Sequence, residues 1–314
     1  YGIGADGLKE EASNKIFSAK GRPSDNPLII HIADFDALKV ITKTIPEKGL
    51  KLAKQFWPGP LTLIFDKSKA VPYSITGGLE TIAIRMPSHP IAYELIRTSG
   101  VYVAAPSANT SGRPSPTKVE HVIDDLAGKI DYIIDGGKVD IGLESTIVDV
   151  TSPTPIILRP GYITKAMIEE VIGPVNVDKA ITSKSYNPNI IAKAPGMKYK
   201  HYAPKGQLII FEGIMNKVIK EINEATKQKL KENYRVGIIA TDESIDFYLD
   251  GDVKTIGTRK DEDTIASSLF EILRDFDDDG VDYIFTESFD NSNLGQAIMN
   301  RLLKAAGYRV ITVE

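Results

Sequence analysis

The chain lacks cysteine, has few histidines and contains no long apolar run. None of its 314 residues is cysteine, which excludes disulfide bonds, thiolate zinc sites and a cysteine nucleophile. Its four histidines include no pair with the H-E-x-x-H spacing of a helical zinc site. No apolar stretch approaches the ~20 residues that a membrane-spanning helix needs, and no secretory segment is visible. We therefore expect a cytoplasmic protein that makes no membrane contact.

The chain also has no excess of positive charge. The formal net charge is −4, which argues against a surface that coats nucleic acid but leaves room for local basic pockets. The phosphate-binding pattern G-x-x-x-x-G-K-[ST] occurs nowhere, so a nucleotide would have to be held by other loops. With 42% hydrophobic and 25% charged residues, the composition predicts an ordinary globular protein.

Strand and helix signals alternate along most of the chain, which predicts an α/β fold. In Thr81–Arg85, Ile82 and Ile84 alternate with the other side chains, which predicts a strand. Ile130–Ile134 is expected to form another strand. The pattern fades after residue 172 and resumes at Gln207 as a β-α-β-α-β-α-β unit. We expect an α/β domain at 1–172, a linker at 173–205 and a smaller doubly wound α/β domain at 206–314.

The segment Lys20–Leu28, K-G-R-P-S-D-N-P-L, places Lys20 and Arg22 beside two prolines. Pro23 and Pro27 fix their own φ angles and push the residues before them toward extended conformations. A rigid basic loop of this kind can hold an anion in a fixed place. For this loop alone, a solvated turn that carries two charges is the better interpretation.

Further loops repeat this chemistry. Arg85 ends an apolar strand beside a proline, where a guanidinium can bind a carboxylate. For Arg85 alone, a structural ion pair is the better interpretation. The loop Ala104–Ser115 offers hydroxyls and small residues that let backbone N–H groups approach a phosphate; otherwise it is an ordinary Ser/Pro loop. Ser145 begins a strand, a weak signal, and Arg159 forms an Arg-Pro corner. If these loops converge, they form a site for a nucleoside triphosphate and a carboxylate.

The segment Ala194–Pro204, A-P-G-M-K-Y-K-H-Y-A-P, is unlike a generic Gly/Ser-rich linker. It carries three rings and two lysines between prolines, which restrict its backbone. We expect it to fold over the site as a lid. The alternative is that its rings only join the two domains.

Eight motifs occur in order along the chain, and their ordered combination is specific although each alone is weak. They are Y-G-x-G at Tyr1, K-G-R-P-S-D-N-P-L-I-I-H at Lys20, F-W-P-G-P-L-T at Phe56, T-I-A-I-R-M-P at Thr81, A-A-P-S-A-N at Ala104, E-S-T at Glu144, L-R-P-G at Leu158 and A-P-G-M-K-Y-K-H-Y-A-P at Ala194. Together they resemble the YrdC family, and within it the long two-domain threonylcarbamoyl-AMP synthases. The resemblance continues into the second domain, with A-I-M-N-R-L-L-K-A-A-G-Y at Ala297.

The resemblance implies a twisted, mixed α/β sheet that encloses a basic cavity. It also implies a nucleotidyltransferase that converts L-threonine, bicarbonate and ATP into threonylcarbamoyl-AMP and pyrophosphate. A separate transferase would pass the product to an adenosine of tRNA. Mg²⁺ would accompany ATP and bridge its phosphates, with few protein ligands and no dedicated metal site.

The resemblance assigns roles to individual residues of this chain. No side chain acts as a nucleophile, and Lys20 and Arg22 would supply positioning and charge stabilisation. The residues implied to bind threonine are His31, Arg85, Ala105 and Ser145. The residues implied to bind ATP are Arg22, Asn26, Thr81, Ser107, Ser115, Arg159 and Tyr199.

The start of the chain departs from the family pattern. The family motif begins P-T-E-T-V-Y-G, and only its Tyr-Gly stands here, at Tyr1 and Gly2. The threonine two places before that tyrosine belongs to the implied threonine site. We therefore expect residues to precede Tyr1 in the natural protein.

Two other functions fit parts of the sequence. A module that binds RNA, through a weak contact with tRNA or double-stranded RNA, fits a basic cavity but not the net charge of −4. A carbamoyltransferase of the hydrogenase-maturation type also contains a YrdC-like domain. Those proteins carry cysteine-rich zinc segments, and this chain has no cysteine.

Overall fold

The computed structural model describes residues 1–182, 194–195, 201–290 and 293–314. Within these ranges the chain forms two β-sheets covered by helices, which confirms the α/β prediction and the two-sheet organisation. The predicted boundaries of the linker stay predictions.

The first sheet is mixed, as the resemblance implied. Its strands among the described residues are β1 (Ala5–Asp6), β2 (Ile29–His31), β3 (Leu61–Asp66), β4 (Thr81–Arg85), β5 (Val103–Ala104), β6 (Thr146–Asp149), β7 (Ile156–Arg159) and β8 (Asn176–Val177). They lie in the order β1-β5-β2-β4-β3-β6-β7-β8. The pairs β2/β4, β3/β6 and β7/β8 are parallel, and the other neighbours are antiparallel. The last strand lies just past residue 172.

Helices of the first domain cover one face of this sheet and fix the ends of its loops. Helix α1 (Glu10–Lys20) has Glu10 and Glu11 in its first turn and Lys20 in its last, as the helix dipole favours. Gly21 ends it with φ 61°, a left-handed conformation that glycine adopts without strain. The others are α2 (Ala37–Ile41), α3 (Glu47–Phe56), α4 (Tyr73–Thr76), α5 (Pro90–Ser99), α6 (Val119–Leu126), α7 (Lys165–Ile172) and α8 (Lys179–Thr182).

The two faces of the first sheet differ. Alternation along β4 sends Ile82 and Ile84 into the main core under the helices, while Ala83 belongs to a separate apolar cluster. We call that second cluster the floor. Its members are Ile29, Ile64, Ala83, Ile147, Leu158 and Ala194. The floor is the face of the sheet on which the candidate site lies.

The second domain contains a parallel sheet of the doubly wound type. Its strands within the described ranges are β9 (Gln207–Gly213), β10 (Val236–Ala240), β11 (Asp252–Thr255), β12 (Tyr283–Glu287) and β13 (Val310–Val313), in the order β11-β10-β12-β9-β13. All neighbouring pairs are parallel. The helices are α9 (Met215–Lys231), α10 (Glu262–Asp278) and α11 (Asn293–Ala305), with a 3₁₀ turn at Ile245–Phe247.

Two sequence-based expectations about strands were wrong or incomplete. Ile130–Ile134 forms no strand, because Tyr132 and Ile134 are 88% and 50% exposed and meet no pairing strand. The β-α-β-α-β-α-β pattern omitted β11, whose polar D-V-K-T sequence forms an edge strand. Across the described residues, no helix is long and apolar enough to cross a membrane.

Buried arginines of the second domain cross the domain boundary. Arg274 of α10 donates from Nη2 to the Pro114 carbonyl oxygen at 2.6 Å and to Asp125 Oδ2 at 2.8 Å. Arg301 of α11 donates from Nε to Glu144 Oε2 at 3.0 Å. Both are almost fully buried, so the domains are joined by charge-assisted hydrogen bonds away from water.

Candidate functional site

Arg85 and His31 lie side by side at one end of the floor. The parallel register of β2 and β4 pairs His31 with Arg85. Arg85 Nε donates to the Gly59 carbonyl oxygen at 3.0 Å, which fixes the guanidinium at the Trp57–Pro60 corner. Among the described residues Arg85 makes no ion pair, so its charge is available to an anionic ligand.

His31 is in a defined protonation state. Its Nδ1 lies 3.2 Å from the Ile29 carbonyl oxygen, and the ring also interacts with the Val103 main chain. Burial, followed by the charge of Arg85, lowers the pKa of His31 to about 3. The imidazole is therefore neutral near pH 7, with one ring nitrogen as a donor and the other as an acceptor.

Ser145 and Arg159 complete this end of the site. Arg159 Nε donates to the Ser145 carbonyl oxygen at 3.0 Å, and its Nη2 donates to the Ser145 hydroxyl at 3.2 Å. That hydroxyl is also 2.7 Å from the Thr62 hydroxyl. Thr62 pairs with Arg85 across β3 and β4, so the four side chains are held by strand pairing as well as by hydrogen bonds.

The two guanidiniums lie close enough to affect each other. Burial and then Arg159 lower the pKa of Arg85 to about 10, and burial lowers the pKa of Arg159. Both groups stay charged at neutral pH. Two neighbouring cations with limited access to water favour a ligand that carries negative charge.

Glu144 lies beside this pair but its oxygens are already engaged. Ser115 Oγ donates to Oε1 at 2.6 Å, and Arg301 Nε donates to Oε2. Burial raises the pKa of Glu144, but Arg301 and Arg159 outweigh it and hold the pKa below its usual value. Ser115 thus faces Glu144, which links it to the Ser145 end of the site.

Lys20 and the Ser107–Asn109 loop form a second group, beyond the amino-terminal end of β2. Lys20 Nζ donates to the carbonyl oxygens of Ser107 and Asn109, both at 2.5 Å, and is buried. Burial and then Arg22 lower the pKa of Lys20 to about 7. Ser107 Oγ donates to Asn109 Oδ1 at 2.5 Å. Lys20 therefore positions the loop through its main chain.

Arg22 and Asn26 belong to this second group. Arg22 Nη2 donates to the Pro27 carbonyl oxygen at 2.9 Å, so the cation is fixed against its own loop. Asn26 is buried, and its Oδ1 has no hydrogen-bond partner among the described residues. A buried acceptor without a partner is costly, which makes Asn26 a candidate ligand contact.

The remaining predicted residues lie between or beside these groups. The Ala105 N–H donates to the Ile29 carbonyl oxygen at 2.9 Å, which places Ala105 at the edge of the floor. Thr81 begins β4, four residues and roughly 13 Å from Arg85 along the strand. Thr81 therefore lies away from the Arg85 group. Extending the β2/β4 register by two residues places it level with Pro27, beside the second group.

The linker reaches the site where it is described. Ala194 is fully buried in the floor, and the Pro195 carbonyl oxygen accepts a hydrogen bond from Arg159 Nη1 at 3.5 Å. Tyr199, a predicted ATP contact, lies outside the described residues. The described ranges contain no cluster of three or more His, Asp or Glu side chains that could hold a metal.

Several residues of this site were not anticipated from the sequence. Thr62 lies inside an apolar strand, and only the β3/β4 register reveals that it meets Ser145. Arg301 lies in a helix of the second domain, where an arginine is usually solvated. Glu144 was noticed as part of the E-S-T motif, but its contact with Arg301 spans 157 residues and has no local signal.

Known proteins resemble this chain over both domains. Residues 1–161 match the family model Sua5_yciO_yrdC, described as telomere recombination, and residues 163–307 match Sua5_C, described as threonylcarbamoyl-AMP synthase, C-terminal domain. The chain is 50% identical over 316 residues to the threonylcarbamoyl-AMP synthase of Pyrococcus abyssi, covering 100% of this chain and 89% of that protein. It is also 50% identical over 312 residues to the synthase of Bacillus subtilis, covering 99% and 88%.

A solved structure agrees with the fold. The crystal structure of P. abyssi Sua5 complexed with L-threonine matches with a TM-score of 0.93 and 49% identity, covering 100% of this chain and 90% of that one. These matches favour a synthase over an RNA-binding module.

Proposed function

Since the chain belongs to the Sua5/YrdC family of threonylcarbamoyl-AMP synthases, we propose that it forms threonylcarbamoyl-AMP and pyrophosphate from L-threonine, bicarbonate and MgATP. The observation that carries this proposal is that Arg85 and Arg159 end their strands at the same end of an apolar floor, close enough for the charge of Arg159 to lower the pKa of Arg85. The relative whose structure contains L-threonine has the same fold.

Threonine binds at the Arg85 end of the floor in this proposal. Its carboxylate pairs with Arg85, because a guanidinium matches a carboxylate with two parallel hydrogen bonds. The neutral imidazole of His31 lies beside Arg85 and is suited to a hydrogen bond with the amine or hydroxyl of threonine. Ser145 and Ala105 border the same end.

ATP lies along the floor, from the second group toward Arg159. The Lys20-held loop offers the Ser107 hydroxyl, and the buried Asn26 Oδ1 accepts from a donor of the nucleotide. Arg22 and Arg159 supply positive charge to the phosphates. Mg²⁺ arrives with ATP, bound to its phosphates and water, as its preference for oxygen ligands and retained water allows.

The reaction needs no protein nucleophile. The amine of threonine attacks bicarbonate, and water leaves as the carbamate forms. A carbamate oxygen then attacks the α-phosphorus in line, and the bond from that phosphorus to the bridging oxygen of pyrophosphate breaks. The protein positions the reactants and stabilises charge, and effective molarity alone can supply about 7–11 kcal/mol of the barrier.

The product is a reactive mixed anhydride, which fits transfer to a second enzyme rather than storage. We propose that a separate transferase takes it to an adenosine of tRNA in the cytoplasm. Direct contact of this chain with tRNA is not required by the proposal.

The proposal is tested by following pyrophosphate release from ATP with the full-length protein. Release should require both L-threonine and bicarbonate, and mass spectrometry should detect threonylcarbamoyl-AMP. Pyrophosphate release that continues at the same rate without threonine would contradict the proposal. An assay with L-serine in place of L-threonine is the matched control, because serine lacks only the side-chain methyl group.

A further inference from the structure

Arg301 of the second domain reaches both segments that carry the Ser145–Arg159 pair. Its Nε and Nη2 donate to Glu144, at 3.0 Å to Oε2 and 3.1 Å to the main-chain oxygen, and its Nη1 donates to the Pro160 carbonyl oxygen. Glu144 immediately precedes Ser145, and Pro160 immediately follows Arg159. One fully buried guanidinium therefore ties the start of β6 to the end of β7.

The segment before Ser145 is embedded in the second domain. Gly142 has φ 73°, and a Cβ atom there would lie 2.4 Å from the Ala266 carbonyl oxygen of α10. Leu143 packs against the core of the second domain. The second domain thus fixes the main chain that leads into Glu144, next to the Arg301 hydrogen bonds.

Arg301 also determines which arginine pairs with the Glu144 carboxylate. The Glu144 carboxylate lies near Arg159 and acts on its pKa. In the structure its two oxygens accept hydrogen bonds from Arg301 and Ser115, while Arg159 donates to Ser145 and to the Pro195 carbonyl oxygen. Tyr202 interacts with both Glu144 and Arg159. Without Arg301, the buried carboxylate would turn to Arg159, because an unpaired buried charge is strongly unfavourable.

We propose that Arg301 is a positioning residue of the synthase site: it holds Ser145 and Arg159 in register and keeps Glu144 from neutralising Arg159. This inference rests on the proposed function, and it gives the second domain a task in the reaction of the first. Arg301 acts through Glu144 and Pro160 and touches no substrate.

The test compares Arg301→Gln, Arg301→Lys and a control, Arg259→Gln. Arg259 pairs with Glu287 inside the second domain, and all its described contacts stay within that domain. At a temperature where all variants are folded, kcat/KM for threonine should fall about 100-fold in Arg301→Gln, the loss expected for a misplacement of about 1 Å. Arg301→Lys keeps the positive charge but lacks the several N–H donors of the guanidinium. Its loss of activity should therefore be intermediate. Arg259→Gln should stay within twofold of the parent.

A double-mutant cycle with Glu144→Gln separates positioning from general stability. If Arg301 works by occupying Glu144, Arg301→Gln combined with Glu144→Gln should be more active than Arg301→Gln alone. Multiplicative losses in the double variant would overturn the inference, and so would equal kcat/KM in Arg301→Gln and the Arg259 control. If Arg301→Gln does not fold, the threonine Kd of Arg301→Lys, measured by calorimetry, tests the inference instead. A merely structural role predicts a lower Tm with an unchanged Kd.

Failure of the proposed function has a different signature. A parent protein without threonine-dependent pyrophosphate release contradicts the synthase proposal whatever the variants do. A parent with that activity, whose Arg301 variants keep it, contradicts only the role of Arg301.

Discussion

Arg159 donates two hydrogen bonds to Ser145, from Nε to the main-chain oxygen at 3.0 Å and from Nη2 to the hydroxyl at 3.2 Å. The family resemblance assigns Arg159 to ATP and Ser145 to threonine. The two substrates of the proposed reaction therefore meet at one hydrogen-bonded pair. Binding of one substrate is expected to affect the residue that contacts the other.

The first prediction concerns this coupling. Ser145→Ala and Arg159→Ala should each weaken threonine binding. Together they should weaken it by less than the sum, because either change already breaks the bond between the guanidinium and the Ser145 hydroxyl. The coupling free energy should be roughly 0.5–3 kcal/mol. Calorimetric titration of threonine into the parent, the two single variants and the double variant measures it. Additivity within ~0.5 kcal/mol would show that the pair acts as two independent residues.

Arg85→Ala should weaken threonine binding far more than ATP binding. The proposed partner of Arg85 is the threonine carboxylate, and losing hydrogen bonds to a charged group costs about 1.5–3 kcal/mol, or roughly 10- to 150-fold in Kd. Arg97→Ala is the matched control, since Arg97 pairs with Glu94 on the exposed surface of α5. An Arg85 variant with the threonine affinity of the Arg97 control would remove Arg85 from the site.

The pH dependence of stability should contain a contribution from His121. Its Nδ1 accepts from the Thr117 N–H at 3.2 Å, and burial, followed by Arg274 and Lys118, lowers its pKa to about 4, against the opposing charges of Glu271 and Asp125. The unfolded chain then binds more protons between about pH 6.5 and pH 4, so stability is lost as the pH falls through this window.

The size of this loss follows from the shift. A pKa lowered from 6.5 to about 4 corresponds to at most about 3 kcal/mol in the free energy of unfolding. His121→Gln should flatten the urea-unfolding curve of stability against pH between 6.5 and 4. An unchanged slope in the variant would mean that other groups cause the acid sensitivity.

Part of this structure was predictable because its signals are local. The signals of helix α1 are local, since the acidic residues of its first turn, its final lysine and Gly21 all agree with a helix over Glu10–Lys20. Thr81–Arg85 became a strand with its predicted alternation, since sequence spacing alone determines which side chains share a face. Arg85 was therefore placed at a strand end correctly.

The parts that failed depend on distant neighbours. Ile130–Ile134 has strand-like residues but no strand beside it, and a strand exists only where another pairs with it. Thr62, Glu144 and Arg301 became part of the site through contacts across register or across domains. The Lys20 ammonium group donates to the carbonyl oxygens of Ser107 and Asn109, a contact across more than 80 residues that has no local signal. A single sequence contains no direct record of such pairs.

Two tyrosines of the linker should differ in how much they contribute to stability. Tyr202 is buried in the core of the second domain, its ring 5.0 Å from that of Phe270 and its pKa raised to about 12, chiefly by burial. Tyr202→Ala should therefore lower the free energy of unfolding by about 3–5 kcal/mol, as truncating a large buried side chain does.

Tyr199→Ala should instead leave the melting temperature nearly intact and weaken ATP binding. Ala194 is buried against the floor, and the Pro195 carbonyl oxygen accepts a hydrogen bond from Arg159. The linker therefore leaves Pro195 on the face of the sheet that carries the site. A lid there would exclude water from a carbamate and an acyl-adenylate, both of which hydrolyse. Thermal melts and ATP titrations of both variants distinguish the roles. If Tyr199→Ala melts early and keeps its ATP affinity, the whole linker joins the domains and the lid prediction is wrong.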